Sequence, residues 1–571
     1  MEFSKEKDSR LTWIILALIA LLLAIGLRVW LIMGELMPFN SDEAVVALMA
    51  RHILQGERPI FFYGQAYMGS LDAFLVALGF GLFGQQVWVI RLVQSLLYLG
   101  VLITTLSLGK VAFGSWRVGI LGMFFVAIPV VNVTLYTTVS LGGYGEALLI
   151  GNLALLIGIR LGRSIRESNL SGPYWLWGIL GFLFGLGVWA FGLSLVFTLP
   201  VLMYLVIMLI GWIRNPQGER IADGVNINDD RVVAWKARLV RSVWAGLALS
   251  LGGILGASPW WGYALRNGFS GLILELGGSA IAGVERLPWI FQVFQHTINF
   301  LLLGSSVIFG FRPPWSIDWL VLPLIPFVLL FWMVVLINIY RRLRKDDPYR
   351  GPQALLVGVM AVLIVGFILT PFGADPSGRY FVPLVVPLSL FAASLIFDLD
   401  RRIGGWAYGL FLLVLIYPFM GTYLSARRFP PGITTQFYAP SQIDHLYDRE
   451  LITFLQRIGE RRGYCNYWVT YPLAFLSQED LIFTPRLPYH LDFRYTERDD
   501  RYQPYDDLVA NSNRVAYITT NHPDLDEYLR SSFTSLGLSW QEARIGDYMV
   551  FYALSEPVRP KEIGLGVTTN P

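Results

Sequence analysis

The chain has 571 residues, 55% of them apolar and only 15% charged, and its mean hydropathy is positive. Soluble globular proteins carry about 25% charged residues, so this composition predicts a polytopic α-helical membrane protein. The net charge of +3 is too small to indicate a nucleic-acid partner, and the single cysteine, Cys465, excludes a disulfide framework and any cysteine-rich metal site.

The first apolar run, residues 11–33, follows the charged segment MEFSKEKDSR. It is too long for the apolar part of a signal peptide and has no small-residue cleavage site after it, so we predict an uncleaved anchor. Ten further runs are long enough to cross about 30 Å of hydrocarbon. They lie near 88–108, 117–135, 143–162, 174–192, 194–213, 242–262, 317–339, 353–371, 380–397 and 404–423.

Two shorter runs, 70–84 and 297–311, either cross the membrane or lie along it as juxtamembrane helices. The positive-inside rule favours the second alternative, because with eleven spans every basic block falls on the cytoplasmic side. If both runs crossed, giving thirteen spans, the blocks between 110 and 241 would move outside while the N-terminus stayed inside. We therefore predict about eleven spans in the inner or plasma membrane, with a cytoplasmic N-terminus.

In this topology the loop 34–86 is extracytoplasmic and carries the adjacent pair Asp42 and Glu43. Asn40 or Ser41 can cap a helix there, and two acids in its first turn complement the helix dipole, which is a purely structural role. The same geometry aims an ionised carboxylate out of the helix, as a general base requires. Adjacent helical residues point about 100° apart, so we favour Asp42 as the catalytic residue and Glu43 as helper or structural partner.

Further polar residues occur at the predicted outer ends of spans. Glu146 begins a span, where an ionisable group is costly unless it faces a cavity, so it either contacts substrate or serves in capping and packing. Tyr144 can hydrogen-bond a sugar or anchor the interface, and Arg266 can contact phosphate or sugar. His52 and His296 are candidate metal ligands, but neither has the spacing of a dedicated site, so we assign no metal and no other cofactor.

The segment DPSGRYFVPLVVPL places Arg379 and Tyr380 at the outer mouth of the tenth span. Arg379 is either an interfacial arginine that extends toward the headgroups or a guanidinium that binds a lipid-linked phosphate through two parallel hydrogen bonds. Tyr380 is a further candidate substrate-binding residue, although it is more simply explained as part of an interfacial aromatic belt.

The composition changes after residue 424, so we predict a transmembrane domain over 1–424 and a small extracytoplasmic α/β domain over 425–571. A helix is predicted near 441–460, and short strands are predicted at NYWVT, VAYITT and DYMVFYAL. This tail contains no catalytic constellation, and a role in acceptor recognition or in covering the cavity is a hypothesis.

The first outer loop contains the ordered segments DEA, H-ILQGE-P, YGQAYMGSL and LGFGLFG, and VIRLVQSLL follows at the start of the second span. Together with the Arg379 segment, they resemble the GT-C superfamily of polyprenyl-phosphate-dependent glycosyltransferases, particularly bacterial relatives of protein O-mannosyltransferases and aminoarabinose transferases. The resemblance covers the layout of residues 10–420. It implies that an acid of the first outer loop, here Asp42, acts as base or positions the acceptor, and that 70–84 is a juxtamembrane helix.

The resemblance also makes His52 and Tyr63 candidate substrate-binding residues. It implies an enzyme that moves a sugar from a polyprenyl phosphate to a hydroxyl of a glycan, lipid or protein acceptor, with inversion. An extracytoplasmic site cannot use cytosolic nucleotide sugars, and the chain has no glycine-rich phosphate loop to hold one. The alternative is a transporter or flippase of lipid-linked or small polar substrates, which Glu146 would also serve. The long outer loop, the large tail and the absence of internal repeats favour sugar transfer.

Overall fold

The computed structural model describes residues 2–167, 173–214, 227–281, 288–428 and 432–569. Its architecture is a bundle of apolar helices followed by a C-terminal domain built on a β-sheet. The helices are α1 (Glu2–Met33), α2 (Ser41–Gln55), α3 (Leu71–Phe83), α4 (Val87–Phe113), α5 (Trp116–Ala127), α6 (Val131–Tyr136), α7 (Tyr144–Arg166), α8 (Tyr174–Ala190), α9 (Leu195–Arg214), α10 (Ile227–Gly256), α11 (Ser258–Asn267), α12 (Phe269–Ile281), α13 (Trp289–Ile298), α14 (Ser305–Ile308), α15 (Ile325–Arg344), α16 (Arg350–Leu369), α17 (Val385–Ile403), α18 (Trp406–Arg427), α19 (Asp448–Ile458), α20 (Tyr467–Leu476), α21 (Pro504–Ala510) and α22 (Pro523–Ser535). The strands are β1 (Phe61–Phe62), β2 (Gln65–Gly69), β3 (Arg462–Cys465), β4 (Ile482–Pro485), β5 (Ala516–Thr520), β6 (Gln541–Ile545) and β7 (Tyr548–Tyr552).

Within the described ranges, nine helices are long and apolar enough to cross a membrane, namely α1, α4, α7, α9, α10, α15, α16, α17 and α18. The other two predicted spans form the shorter apolar helices α5 and α8, so the eleven predicted runs are all helical at their centres. Helix α5 stops at Ala127 because Pro129 follows, and the chain resumes as α6. The chain is thus a polytopic helical membrane protein.

The two short runs of uncertain topology do not form long helices. Helix α3 has 13 residues, so it is about 20 Å long, which is too short to cross the hydrocarbon core. The run 297–311 is divided among α13, a π-helical turn at Asn299–Gly304, and α14. Both observations fit the prediction that these segments lie along the membrane.

Helices α8 and α10 pack closely through glycines. A Cβ at Gly181 would lie 1.9 Å from the carbonyl oxygen of Leu249, and a Cβ at Gly252 would lie 2.0 Å from that of Gly178. Small residues allow two apolar helices to approach this closely. The resulting van der Waals contact stabilises helix pairs in lipid, where the hydrophobic effect between helices is weak.

The C-terminal domain contains a five-stranded mixed sheet with the order β4-β3-β5-β7-β6. Strand β3 is parallel to β4 and β5, whereas β7 is antiparallel to β5 and β6. The central strand β5 is buried along its whole length. The predicted strands VAYITT and DYMVFYAL correspond to β5 and β7, and the predicted helix at 441–460 contains α19.

The prediction of a strand at NYWVT is wrong, because this segment starts helix α20. Asn466 has an extended backbone and its side chain accepts a hydrogen bond from the amide of Trp468, which caps the helix. The following residues through Phe475 are all buried, so aromatic and β-branched residues that favour strands are here selected for packing. Helix α20 packs against α2, which joins the domain to the first loop.

Candidate functional site

A cavity of about 230 Å³ lies where the C-terminal domain meets one end of the helix bundle. We call it the junction cavity. Its charged lining residues are Asp42, Asp499, Arg379 and Arg501. Tyrosines from the first loop, the bundle and the C-terminal domain complete much of the wall; they are Tyr67, Tyr136, Tyr144, Tyr467 and Tyr489. Acids, guanidinium groups and aromatic rings thus surround one polar space.

The start of helix α2 places Asp42 in this cavity. Asn40 caps the helix with its side-chain oxygen, which accepts a hydrogen bond from the amide of Glu43 at 3.3 Å. The Asp42 carboxylate accepts hydrogen bonds from the Tyr467 hydroxyl at 2.6 Å on one oxygen and from the Thr435 hydroxyl at 2.8 Å on the other. Both donors belong to the C-terminal part of the chain, so that part fixes the direction in which the carboxylate points.

Glu43 points to a different side of α2 and does not line the junction cavity. Its two carboxylate oxygens accept hydrogen bonds from Arg91, at 3.0 Å from Nε and 2.8 Å from a terminal nitrogen. The Glu43 side chain is fully buried and that of Arg91 is 5% exposed. This bidentate pair joins α2 to α4, which gives Glu43 a structural partner and leaves Asp42 as the acid of the pair that faces the cavity.

A tight turn presents Arg379. Gly378 has a φ of +99°, and a Cβ there would lie 2.4 Å from Val307. The carbonyl oxygen of Gly378 accepts a hydrogen bond from the Asn132 side chain at 3.0 Å, which ties the turn to α6. Arg379 forms an ion pair with Asp375, and its side chain remains 34% exposed. The turn therefore holds a guanidinium at the cavity surface while one face of it stays accessible.

Of the other bundle residues predicted as contacts, the structure brings only Tyr144 into the junction cavity. Tyr380 packs beneath the guanidinium of Arg379, 5.0 Å from its central carbon to the ring centre. Glu146 is buried outside the cavity, and neither of its carboxyl oxygens has a hydrogen-bond partner within the described part of the chain. Arg266 is exposed on α11, also outside the cavity.

The buried Asp72 supports the loop that leads to Tyr144. Its carboxyl group accepts hydrogen bonds from Gln94 at 2.8 Å, from the Ser140 hydroxyl at 2.6 Å and from the amide of Gly142 at 3.1 Å. Because Gly142 has a φ of +90°, a side chain there would be strained. Asp72 thereby connects α3, α4 and one wall of the cavity.

His52 and Tyr63 lie outside the junction cavity, in a second network between the first loop and the C-terminal domain. One ring nitrogen of His52 contacts the Tyr63 hydroxyl at 3.0 Å and the other contacts Glu479 at 3.0 Å. Tyr63 donates to Glu57 at 2.6 Å, and its ring stacks on Tyr502 with centres 4.7 Å apart. The network holds the far end of α2 to the C-terminal domain.

Sequence reasoning missed Thr435, Tyr467, Asp499 and Arg501. The Arg501 guanidinium lies over the ring of Tyr467, 5.5 Å from its central carbon to the ring centre, and donates to the carbonyl of Gly64 at 3.3 Å. Burial and the negative charge of Asp42 together raise the pKa of Asp499 to about 7, against the lowering effect of Arg501. These residues form no recognisable sequence motif. They meet the first loop, at Asp42 and Gly64, only in the folded chain, across about 400 positions of sequence.

Within the described residues, no group of three or more histidine, cysteine, aspartate and glutamate side chains is placed to hold a metal ion. In the junction cavity, Asp42 accepts hydrogen bonds from two hydroxyl groups, and Arg379 pairs with the carboxylate of Asp375.

No protein-family profile matches the sequence, and no curated protein matches it either. Solved structures share its fold. The aminoarabinose transferase ArnT from Cupriavidus metallidurans bound to undecaprenyl phosphate is 14% identical, with 95% of this chain and 98% of that chain covered and a TM-score of 0.53. Its apo state is 13% identical with the same coverage and a TM-score of 0.55. An oligosaccharyltransferase from Archaeoglobus fulgidus in complex with Zn and sulfate is 12% identical, with 88% and 68% covered and a TM-score of 0.52. The chain therefore has the GT-C fold.

Removing one member of the Glu43–Arg91 pair should destabilise the bundle strongly. The change Arg91→Met leaves a buried carboxylate without its partner, which costs about 3–5 kcal/mol, whereas Glu43→Leu combined with Arg91→Met removes both charges and recovers most of that loss. Thermal unfolding of the purified protein in detergent measures the effect. Arg342→Met, which breaks a partly exposed pair with Asp398, is the control and should lower the melting temperature less. Equal losses in the single and double variants would contradict the assignment of a buried ion pair.

Asp499 should make stability depend on pH. Its pKa is raised to about 7 in the folded chain and is about 3.9 in an unfolded chain. Between these two pH values the unfolded state binds fewer protons than the folded state. The free energy of unfolding therefore falls as the pH rises from about 4 to 7. The variant Asp499→Asn lacks this penalty. Its melting temperature should exceed that of the unmodified protein at pH 8 by about 2 °C or more, and the two should converge at pH 4. A constant difference across this range would show that Asp499 does not titrate there.

Proposed function

We propose that the protein is a membrane glycosyltransferase that moves a sugar from a polyprenyl-phosphate donor to a hydroxyl of a glycan, lipid or protein acceptor. The observation that carries this proposal is the meeting of Asp42 and Arg379, which are distant in sequence, in one polar cavity at the end of the bundle. A carboxylate and a guanidinium facing the same space are the groups that such a displacement needs. The shared fold with ArnT bound to undecaprenyl phosphate supports the choice of a lipid-linked donor.

In the proposed reaction Asp42 is the general base. It takes the proton of the acceptor hydroxyl while that oxygen attacks the anomeric carbon of the donor sugar. The bond between this carbon and the phosphate oxygen breaks, and its electron pair leaves with the polyprenyl phosphate. Attack opposite to the leaving group inverts the anomeric carbon. A phosphate leaves as an anion without being protonated, so a second carboxylic acid of the kind used by glycoside hydrolases is unnecessary.

Arg379 binds the phosphate in this scheme. Guanidinium groups present parallel N–H donors that match phosphate oxygens, and they stabilise the negative charge that develops on the leaving group. The ion pair with Asp375 orients the side chain, and the stacking of Tyr380 supports it from below. Donor binding would place the phosphate on the exposed face of this guanidinium.

The lipid chain of the donor would begin beside an apolar cavity of about 70 Å³ next to the Arg379 turn. Phe381, Leu384 and Leu388 line this cavity from the chain that follows Arg379, and Phe125 and Ile128 line it from α5 and its C-terminal end. A lipid chain is stabilised there in proportion to the apolar area that it buries, while its phosphate reaches the guanidinium of Arg379.

We place the junction cavity on the extracytoplasmic face of the cell membrane. Helices α7 and α17 begin at the cavity with Tyr144 and the Arg379 turn. Their opposite ends carry basic residues, namely Arg163 and Arg166 on α7 and Arg401 and Arg402 on α17. Because basic residues are enriched on the cytoplasmic side, the cavity belongs on the other side, together with the C-terminal domain.

Replacing the base should abolish most transfer. We expect Asp42→Asn to lower the transfer rate by about 100-fold or more, because general-base catalysis contributes about 10²–10⁴-fold. The assay follows label from a polyprenyl-phosphate sugar into acceptors of membranes that lack the native protein. Asp318→Asn, which alters an exposed ion pair with Arg428, is the matched control and should transfer at the unmodified rate. Transfer by Asp42→Asn at the unmodified rate would contradict the role of Asp42, and absence of transfer by the unmodified protein would favour transport.

Changing the guanidinium should affect the donor specifically. We expect Arg379→Lys to raise the KM for the polyprenyl-phosphate sugar and to lower kcat, because lysine keeps the charge and loses the paired donors, and Arg379→Gln should be more severe. Both are measured by varying donor concentration at a fixed acceptor concentration. Arg428→Gln, on the exposed Asp318 pair, should leave both constants unchanged. Unchanged donor kinetics in Arg379→Gln would rule out the phosphate contact.

A further inference from the structure

A second cavity, of about 320 Å³, lies within the C-terminal domain. Its lining comes from two segments, 489–501 and 568–569. We call it the arginine cavity, after Arg494, Arg498 and Arg501 in its wall. Its volume is at the lower end of the range for small-molecule sites, about 300–1,000 Å³, which suits a ligand unit such as one sugar residue.

The arginine cavity adjoins the junction cavity. Tyr489, Asp499 and Arg501 line both of them, so these three residues form the boundary between the two spaces. A ligand seated among Arg494 and Arg498 would therefore extend past Asp499 toward the carboxylate of Asp42.

Hydrogen bonds from backbone amides hold the two lining segments together. The amide of Thr569 donates to the carbonyl of Tyr495 at 3.1 Å, and the amide of Tyr495 donates to the Thr569 hydroxyl at 3.0 Å. The amide of Glu497 donates to the Thr568 hydroxyl at 3.1 Å. The end of the chain thus forms a fixed wall of the cavity, and a preformed wall reduces the ordering cost of binding a ligand.

The charge of this cavity is positive. Its described lining contains three guanidinium groups and one carboxyl group, Asp499. Arg494 pairs with Asp492, which is 57% exposed and lies outside the lining. Burial and the neighbouring Asp42 raise the pKa of Asp499 to about 7, so this carboxyl carries a proton for part of the time at neutral pH and adds less negative charge than an ordinary aspartate.

The remaining lining residues suit a sugar ring. Tyr489 and Tyr495 offer aromatic surface, and Thr496 offers a hydroxyl group. The Tyr489 ring is held against His490, with ring centres 4.4 Å apart. Flat apolar faces with nearby hydrogen-bonding groups match the alternation of C–H faces and hydroxyl edges on a sugar, whereas an apolar peptide side chain would find no apolar pocket among the arginines.

We propose that the arginine cavity binds the acceptor of the transfer reaction and selects a saccharide that carries a phosphate or carboxylate group. This inference rests on the proposed glycosyl transfer and adds the acceptor class to it. The anionic group contacts Arg494 and Arg498, and the sugar bearing the reacting hydroxyl lies beyond Asp499, facing Asp42. The donor phosphate and the acceptor anion then occupy separate guanidinium groups.

Binding of small probes to the full-length protein in lipid nanodiscs tests this site without any transfer. Glucose 6-phosphate and glucuronate should bind at least 10-fold more tightly than glucose, as measured by saturation-transfer NMR. The double variant Arg494→Gln with Arg498→Gln should lose that preference, and its lysine counterpart should keep part of it. The control is Arg457→Gln, which changes an exposed arginine of α19 outside both cavities and should bind as the unmodified protein does.

Equal binding of glucose and glucose 6-phosphate by the unmodified protein would overturn the proposal, as would an unchanged preference in the correctly folded double variant. Equally tight binding of the acidic peptide Glu-Glu-Glu would overturn the saccharide assignment in favour of a protein acceptor. The two hypotheses fail separately. A protein that selects anionic sugars but never consumes polyprenyl-phosphate sugar loses the proposed reaction, and one that transfers sugar without such selection loses the acceptor site.

Discussion

The hydrogen bonds from Tyr467 and Thr435 to the two oxygens of Asp42 join the beginning of the chain to its C-terminal part across 425 and 393 positions. Asn40, which caps the same helix, also donates a hydrogen bond from its side-chain amide to the hydroxyl oxygen of Thr435, at 2.9 Å. The docked C-terminal domain therefore helps to hold the first turn of α2 in its orientation. In this molecule the domain is part of the wall around the proposed base, and the cavity exists only where bundle and domain meet.

The bundle contributes a complementary rigidity through buried ionisable side chains that are hydrogen-bonded. Glu43 and Arg91 fix α2 against α4, and Asp72 fixes the loop before Tyr144. Burying such groups is costly, and each cost is offset here by two or three hydrogen bonds. These contacts restrict the orientation of the neighbouring residues Asp42 and Tyr144, which both face the junction cavity. Positional accuracy of this kind is what a displacement reaction needs, because small misplacements of reacting groups cost large factors in rate.

The helical membrane architecture could be predicted because hydrophobic length and charge asymmetry are local signals. The same signals put the acid of the first loop and the arginine of the tenth span at one end of the bundle, where the structure brings them into one cavity. The sequence did not allow the roles of Tyr467, Asp499 and Arg501 to be predicted, since their position depends on docking between distant parts of the chain. The error at NYWVT has a related cause. Its aromatic and β-branched residues resemble a strand, and the cap at Asn466 with burial against α2 overrides that local preference. Glu146 was predicted as a substrate contact from its place at the start of a span, and His52 from the resemblance to GT-C enzymes. The structure buries Glu146 outside the junction cavity and places His52 in the interface with the C-terminal domain.

The charge balance of the junction cavity would couple the proposed donor binding to the protonation of one carboxyl group. Two guanidinium groups, Arg379 and Arg501, face the carboxyl groups of Asp42 and Asp499, and Asp375 adds a third carboxylate against Arg379. With all three ionised, the sum would be one negative charge, which opposes an incoming phosphate. Burial raises the pKa of Asp499 to about 7, so protonation of this one group near neutral pH brings the sum to zero. A phosphate held by Arg379 in the proposed reaction would add a negative charge to the same cavity and would favour the protonated form of Asp499 again. Phosphate and proton would then bind with positive coupling. The group that mediates it lies on the boundary with the arginine cavity, where the proposed acceptor anion would act in the same direction.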